Sequence, residues 1–533
     1  MTQSPRPPSL ARRLRQLLHR LQDLRAPPGP DAPALSLRDP WPGDPSRGAR
    51  LVRAELEYAG SVLALPQYVF APLAATRLMR AHLHGFAWLR DLRALGTDAA
   101  RTKARALVSD FMEEQKLDPI ALEPDVTGAR LTAWLGHYDF FAASADDQFR
   151  QELMARLARD ARALAAAMPP ERLDQRALTA LKGLAAAAIA MPAHAPYLPR
   201  TLKFLDAELK RQFYPDGCQV ERSPAALLAA LQDLTELRAL MQSGGAEPPA
   251  ELLLAIERAA AALRALRHGD GGLALFNGTK EDLPSLIDLV LAQAGRARGA
   301  LSTLSSCGLI RIAAAKALLF MDAGAPPAPG LDRFSHAGTL SFEYSFGKDR
   351  VVVNCGAAPA LAGPWATALR ASAAHSTLTI ADVSSAEIRD GGLGRRPKHV
   401  GAQRQSLGGV HWVEASHDGW QNLFGAVHHR RLGLSENGEE LQGEDLIEAA
   451  TPQPFAIRFH LHPNVTASVQ QDGETVLLRT PSSLGFRLRA EGATPHVEES
   501  VYFGQGEPRR AEQIVLPGHQ DGPQHIKWTI TRV

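Results

Sequence analysis

The sequence predicts an α+β, multidomain chain in which helices come first and an antiparallel β-sandwich second. Three observations carry this. From about residue 66 to 300, apolar residues recur at three- and four-residue steps. Near residue 300 the period changes from about 3.6 to about 2. After that point Asp-Gly, Asn-Gly and Pro pairs divide the sequence into short segments, as at Asp418-Gly, Asn437-Gly and Asp472-Gly. A chain of 533 residues is too long for one hydrophobic core and calls for two or three domains.

The chain opens with Leu10, Leu14, Leu17, Leu18, Leu21 and Leu24 at helical spacing, interleaved with Arg12, Arg13, Arg15, Arg20 and Arg25. A secretory signal would be continuously apolar and would end at small residues, so no signal peptide is recognisable. The stretch reads as a helix docked on its own protein, as a basic amphipathic helix on a membrane surface, or as an unstructured start. The linker Ala26-Pro-Pro-Gly-Pro-Asp-Ala-Pro follows, then Asp39-Pro-Trp-Pro-Gly-Asp44 and a short alternating stretch near Leu51–Leu56. Helices are expected over 149–168, 175–191, 200–213, 224–241 and 249–267, punctuated by Pro and Gly. Such helices pair antiparallel, and a run of pairs can close into an α/α toroid or curve as a solenoid. Strands are expected over 309–312, 318–321, 339–346, 350–354, 376–380, 410–415, 430–434, 455–461, 475–479, 486–490 and 526–532. That many strands favour a multi-sheet sandwich over a small barrel. The expected domains are residues 1–40, 41–300 and 301–533.

Composition narrows the function. A net charge of +2 gives no global field to recruit nucleic acid or an anionic membrane. No apolar run reaches the roughly 18–20 residues that span a bilayer. Three cysteines, at 218, 307 and 355, suggest no disulfide framework, although one bridge is compatible with them. No Cys-x-x-Cys pair is present, so a cysteine-based structural zinc site is not expected. Arg far outnumbers Lys. This fits either the mutational bias of a GC-rich bacterial genome or a use of Arg in bidentate carboxylate or sulfate binding.

The most informative stretch is 336–378. It runs from His336-Ala-Gly-Thr-Leu-Ser-Phe-Glu-Tyr-Ser through Val351-Val-Val-Asn-Cys-Gly356 to Arg370-Ala-Ser-Ala-Ala-His375-Ser-Thr-Leu378. A His stands at the entry to the first strand and another at the entry to the third, where a β-domain can hold polar side chains rigidly. The order resembles the C-terminal β-domain of heparinase II/III-like polysaccharide lyases, which read His-x-His-x-Asp-x-Leu-Ser-Phe, then Val-Asp-x-Gly, then Ser-x-x-His-Asn-Thr-Leu. Upstream, Asp216-Gly-Cys-Gln-Val-Glu-Arg-Ser-Pro224 resembles the family's Asp-Gly-x-x-x-Glu-x-Ser-Pro loop before a helix. His268-Gly-Asp-Gly-Gly-Leu resembles its loop between the domains. The resemblance covers most of the chain from near Trp41, and it implies an α/α toroid followed by the β-sandwich.

What the resemblance implies chemically is β-elimination on a uronate-containing polysaccharide, in a cleft between the two domains. That reaction needs a group to neutralise the carboxylate, a base near neutral pKa and an acid for the leaving oxygen. His336 and His375 are the expected catalytic residues. Arg222, Glu221, Asp270, Asn354 and Arg370 are the expected substrate contacts. The sequence departs from the pattern at Phe334, where the first His would stand, at Gly338 and Asn354, where Asp is usual, and at Ala225-Ala226, where a Tyr-His pair often follows the Pro. With Asn354 in place of an anionic ligand, no metal and no cofactor are expected. His336 and His375 can equally be read as local hydrogen-bonding residues that order the sandwich, or as the two His ligands left from the family's His-Asp-His metal set. The expected partner is an acidic polysaccharide or oligosaccharide, with no nucleic acid and no transmembrane segment. The family points to the cell envelope or periplasm, and the unrecognised signal points to the cytoplasm. The competing class is a carbohydrate-binding or envelope-assembly protein on a lyase scaffold with weakened or lost catalysis. Trp365, Trp412 and Trp420 could stack on sugars, but core positions are expected for at least two of them.

Overall fold

Short polar side chains start several of the helices. Thr97 accepts from the Ala100 N–H (3.2 Å) and opens Asp98–Glu113, and Asp146 accepts from Phe149 (2.8 Å) and opens Asp147–Ala166. The computed structural model describes residues 30–171, 174–295, 304–361, 363–520 and 522–533. The helix expected over Leu10–Leu24 lies outside these residues. The chain forms two units. One comprises the residues up to Gln212, Ala229–Ile256 and a short stretch from Ala360, and the other comprises Phe213–Leu228, Glu257–Pro359 and Gly363–Val533.

The first unit is mainly helical. Pro124–Gly136, Asp147–Ala166, Arg176–Ala190 and Tyr197–Gln212 pack on one another through buried Ala and Leu. Its charged interior is paired. Arg130 and Arg156 share Asp160 at 2.8 and 3.0 Å, and Lys182 bridges Asp233 and Glu236 at 2.8 and 2.6 Å. The alternating stretch near Leu51–Leu56 is divided between the helix Pro45–Val52 and the strand Glu55–Tyr58 (β1), which pairs with Ser61–Ala64 (β2). Among the described residues no helix is long and apolar enough to cross a membrane.

The second unit carries the remaining strands. They are Leu309–Ala314 (β3), Ala317–Asp322 (β4), Phe342–Phe346 (β5), Asp349–Val353 (β6), Leu378–Ile380 (β7), Ile388–Arg389 (β8), Gly392–Leu393 (β9), Val400–Leu407 (β10), Val410–Trp420 (β11), Ala426–Ser435 (β12), Glu440–Glu448 (β13), Gln453–Leu461 (β14), Thr466–Val469 (β15), Thr475–Arg479 (β16), Gly485–Glu491 (β17), His496–Tyr502 (β18), Arg509–Gln520 (β19) and Gln524–Arg532 (β20). One antiparallel sheet has the order β18-β19-β14-β6-β5-β4-β3, with β7 also paired to β14. The other has the order β10-β11-β12-β13-β20-β17-β16-β15. Inward residues of both sheets share one core, in which Phe342 and Phe459 pack on Trp528 at ring separations of 5.4 and 4.8 Å. This is the expected antiparallel β-sandwich.

Several local expectations differ, since β8, β9, β10, β13, β15, β18 and β19 lie outside the expected strands. Asp418-Gly419 is no inter-strand turn; it lies inside β11, where the register shifts between His417 and Trp420 and β11 runs on to Trp420. β13 was not foreseen, because its inward residues are Leu441, Gly443, Asp445 and Ile447, which break the apolar alternation. Both exceptions face the core for a reason. A Cβ on Gly443 would come within 2.0 Å of the Trp528 ring. Asp445 takes bonds from Arg430 Nε (2.7 Å), His428 Nε2 (2.7 Å) and Trp528 Nε1 (3.0 Å).

Candidate functional site

β5, β6 and the segment before β7 bring the sequence-nominated residues of the sandwich together. β5 and β6 are buried on both faces, so polar side chains on them must find partners inside the protein. Glu343 sits in the middle of β5 with no exposed surface. One of its oxygens accepts from the Asn354 backbone N–H (3.0 Å) and from Asn354 Nδ2 (3.1 Å). The other accepts from His268 Nε2 (2.8 Å) and the Leu275 N–H (3.1 Å). Asn354 Oδ1 then accepts from the Ser376 N–H at 3.0 Å. Asn354 therefore spans β6 to the strand that begins after His375.

His336 and His375 meet directly, Nδ1 to Nε2, at 3.0 Å. Their tautomers follow from the backbone. The Gly278 N–H can only donate, and it donates to His336 Nε2 (3.1 Å). His336 must then carry its proton on Nδ1 and give it to His375 Nε2. His375 in turn carries its proton on Nδ1 and donates to the Ala371 carbonyl (2.7 Å). All four ring nitrogens are used by a neutral pair. Burial pushes His336 well below its ordinary pKa, with His375 and Arg370 adding to the effect, and burial pushes His375 down to about 4.

The donor set does not fit the family's metal. Each imidazole lone pair already accepts a proton, Asn354 offers no charge, and its carbonyl oxygen is engaged. A side chain at position 338 has no room either, since a Cβ on Gly338 would stand 2.6 Å from His375 Cδ2. The His375 ring occupies the space that the family's Asp would need.

The other nominated residues are engaged within the same unit. Arg222, with a backbone φ of 54°, is 3% exposed. Its guanidinium donates to the carbonyls of Cys307 (2.6 Å), Gly324 (3.1 Å), Ala325 (3.0 Å) and Gly308 (3.4 Å), and pairs with Asp322. Glu221 is buried and accepts from Gln219 Nε2 (3.0 Å). Asp270 takes Arg350 on both oxygens, at 2.7 and 3.2 Å. Burial alone would raise the Asp270 carboxyl, but Arg350 holds it below its ordinary value. Arg370 donates to the carbonyls of Ser335, Arg389 and Gly392 at 3.0, 3.0 and 2.7 Å. Ser223 caps the helix Pro224–Ser243, its Oγ accepting from Ala226 at 3.4 Å. Trp412 and Trp420 are buried, whereas Trp365 is 41% exposed against Phe503.

Sequence reasoning passed over Glu343, Asp322, Arg350 and Asn277, which hold the nominated residues in place. Asn277 accepts the His336 N–H and donates to the Arg222 carbonyl, at 3.1 and 3.0 Å. The available signal was a lone carboxylate within the apolar run Phe342-Glu-Tyr-Ser-Phe.

Comparison with known proteins adds three findings. The profile of the family described as Heparinase II/III-like, C-terminal matches residues 296–529. FtsZ-localized protein C of Caulobacter vibrioides (strain NA1000 / CB15N) is 33% identical over 544 residues, covering 96% of this chain and 92% of its own. Among solved structures, heparinase III superposes with a TM-score of 0.76 at 12% identity, covering 98% of this chain and 89% of that one. A mutant of the heparan sulfate lyase HepC from Pedobacter heparinus gives 0.63 at 13% identity, covering 98% and 88%. At such identities the structures speak for the shared fold alone.

Proposed function

The chain belongs to the heparinase II/III-like family, and from that premise we propose that it is a binding protein of the bacterial division apparatus on a lyase scaffold, not a working lyase. The observation that carries this is the hydrogen-bonded chain from Gly278 through His336 and His375 to Ala371. β-Elimination needs a base with an available lone pair within reach of the sugar. Here both imidazoles are buried and spend their lone pairs on N–H donors of the protein. Arg222, the candidate for neutralising a uronate carboxylate, spends its donors on carbonyls and on Asp322. Ala226 stands where the family tends to place a catalytic Tyr. The division role rests on the similarity to a protein named for its localisation with FtsZ. The glycan surface of the scaffold then serves recognition, with the exposed Trp365 as its aromatic platform.

Two measurements test this. A fluorescent fusion expressed in a bacterial host should co-localise with labelled FtsZ. The purified protein should give no ultraviolet absorbance from unsaturated product on a panel of uronate polysaccharides. Diffuse fluorescence would overturn the division role. Product formation that is lost in His336→Ala or His375→Ala would restore the lyase reading, in which these two move protons while Arg222, Glu221, Asp270, Asn354 and Arg370 hold an acidic polysaccharide.

A further inference from the structure

Asp216, Cys218 and Cys307 place a carboxylate oxygen and two sulfurs within 4.8 Å of one another. They come from two tight turns far apart in sequence. In the first, the Tyr214 N–H donates to the Cys218 carbonyl (2.8 Å), the Gly217 N–H donates to the Tyr214 carbonyl (2.9 Å), and Phe213 pairs with Gln219. In the second, Leu304 pairs with Leu309, and the Gly308 N–H donates to the Ser305 carbonyl at 3.3 Å. The Asp216 carboxylate joins the two turns. It accepts the Cys218 N–H on one oxygen (3.1 Å) and the Cys307 N–H on the other (3.0 Å). Arg222 Nε holds the Cys307 carbonyl at 2.6 Å. The sulfurs are thus positioned by backbone bonds, and both cysteines are free thiols with at most 3% of their surface exposed.

We propose that Asp216, Cys218 and Cys307 bind a divalent cation of the zinc class through three protein ligands, leaving a fourth position open. Two thiolates and a carboxylate, each presented from a rigid turn, match the ligand types that zinc takes in tetrahedral sites. Each Asp216 oxygen keeps a lone pair beyond the one given to a backbone N–H. Binding releases both thiol protons, and the cation then offsets two of the three negative charges that would otherwise repel one another. Cys307 also lines a cavity of about 760 Å³, together with Tyr214, Ser305, Ser306 and His411, from which a fourth ligand would reach the cation. Three protein ligands and an accessible fourth position are the arrangement in which zinc exchanges a ligand or polarises one. The proposal is independent of the division role.

The test uses the full-length protein, reduced, loaded with zinc chloride and desalted. Elemental analysis should find about one zinc per chain. Cobalt(II) in its place should give the near-ultraviolet charge-transfer band of thiolate ligation. Cys218→Ser and Cys307→Ser should each lose the band and weaken zinc retention at least about tenfold, while His336→Ala and His375→Ala keep both. Should the serine variants fail to fold, the unmodified protein still decides. Zinc should slow alkylation of Cys218 and Cys307 but not of Cys355, and a chelator should reverse this. The proposal is overturned by absence of the cobalt band, by alkylation rates indifferent to zinc, by zinc retained in folded serine variants, or by a Cys218–Cys307 disulfide in protein isolated under alkylating conditions.

Discussion

His336 donates its Nδ1 proton to His375 Nε2 across 3.0 Å, and the Gly278 N–H fixes the direction of that bond from the other side of the ring. The pair is neutral as built. Either ring can be protonated only by breaking a bond inside the fold.

The first prediction is a pH dependence of stability. In the unfolded chain these imidazoles titrate near 6.5, whereas His375 is pushed down to about 4 and His336 well below its ordinary value when folded. Between those limits the unfolded state binds more protons, so stability falls as pH falls. The contribution is fully present above about pH 6.5 and is lost progressively toward pH 4. His375 alone accounts for roughly 1–3 kcal/mol of that loss. Other buried imidazoles shifted down, His417, His428 and His460 among them, add to the slope. Urea unfolding at pH 7.5 and pH 5 checks this, and a midpoint unchanged between the two would contradict it.

Glu343 supports the site from beneath. Glu343→Ala would leave His268, Asn354 and the Leu275 N–H without their acceptor in a dry interior. Loss of a buried, multiply bonded charge costs about 3–5 kcal/mol. The variant should show a much lower unfolding midpoint or accumulate as insoluble protein, whereas Glu387→Ala, on the surface, should behave as the parent.

Asn354→Asp replaces a donor to Glu343 with a second carboxylate. The Asn354 Nδ2 contact to Glu343 is 3.1 Å, so repulsion takes the place of a hydrogen bond. Thermal melts should show destabilisation of about 2 kcal/mol or more. Elemental analysis of the same sample should show no zinc added through His336 and His375, because their lone pairs remain engaged. A gain of one metal, abolished by His375→Ala, would refute this.

Arg222→Ala should act on folding and not selectively on binding. The guanidinium holds the Cys307, Gly324 and Ala325 carbonyls and neutralises Asp322. Removal leaves Asp322 unpaired in the interior, at a cost of about 3 kcal/mol or more. Arg222→Lys restores the charge but not the fork and should recover only part of it. Differential scanning calorimetry against glycan-binding titrations separates the two effects. A normal melting temperature with lost binding would return Arg222 to a ligand-contacting role.

The domain boundary can be tested with fragments. A 301–533 fragment lacks His268, Asp270 and Arg222, the partners of Glu343, Arg350 and Asp322. Circular dichroism should report β structure, with a melting transition well below that of the same domain in the intact chain. A transition equal to that of the intact chain would place the folding boundary at residue 301.

Much of the architecture was legible in the sequence because it rests on periodicity. Helices 147–166, 176–190 and 224–243 and strands β3 to β6 repeat their apolar residues at the spacing of their own backbone, and order alone placed helices before strands. β10 and β13 were illegible for opposite reasons. β10 is exposed on nearly every residue and has no buried face to mark, and β13 turns a Gly and an Asp into the core. The motif of His336, Asn354 and His375 was equally plain, and so was its departure from the family pattern. What those residues do was decided by tertiary structure. A His in a sequence carries a lone pair and a proton with no assigned partner. Only the fold brings the Gly278 N–H, the second imidazole and the Ala371 carbonyl into line and uses all four nitrogens. The same holds for Cys218 and Cys307, whose spacing in sequence announces nothing and whose proximity exists only once Asp216 has joined the two turns. Sequence periodicity fixes which face of an element is buried; the chemistry of a polar group depends on which donors and acceptors the packed chain sets against it.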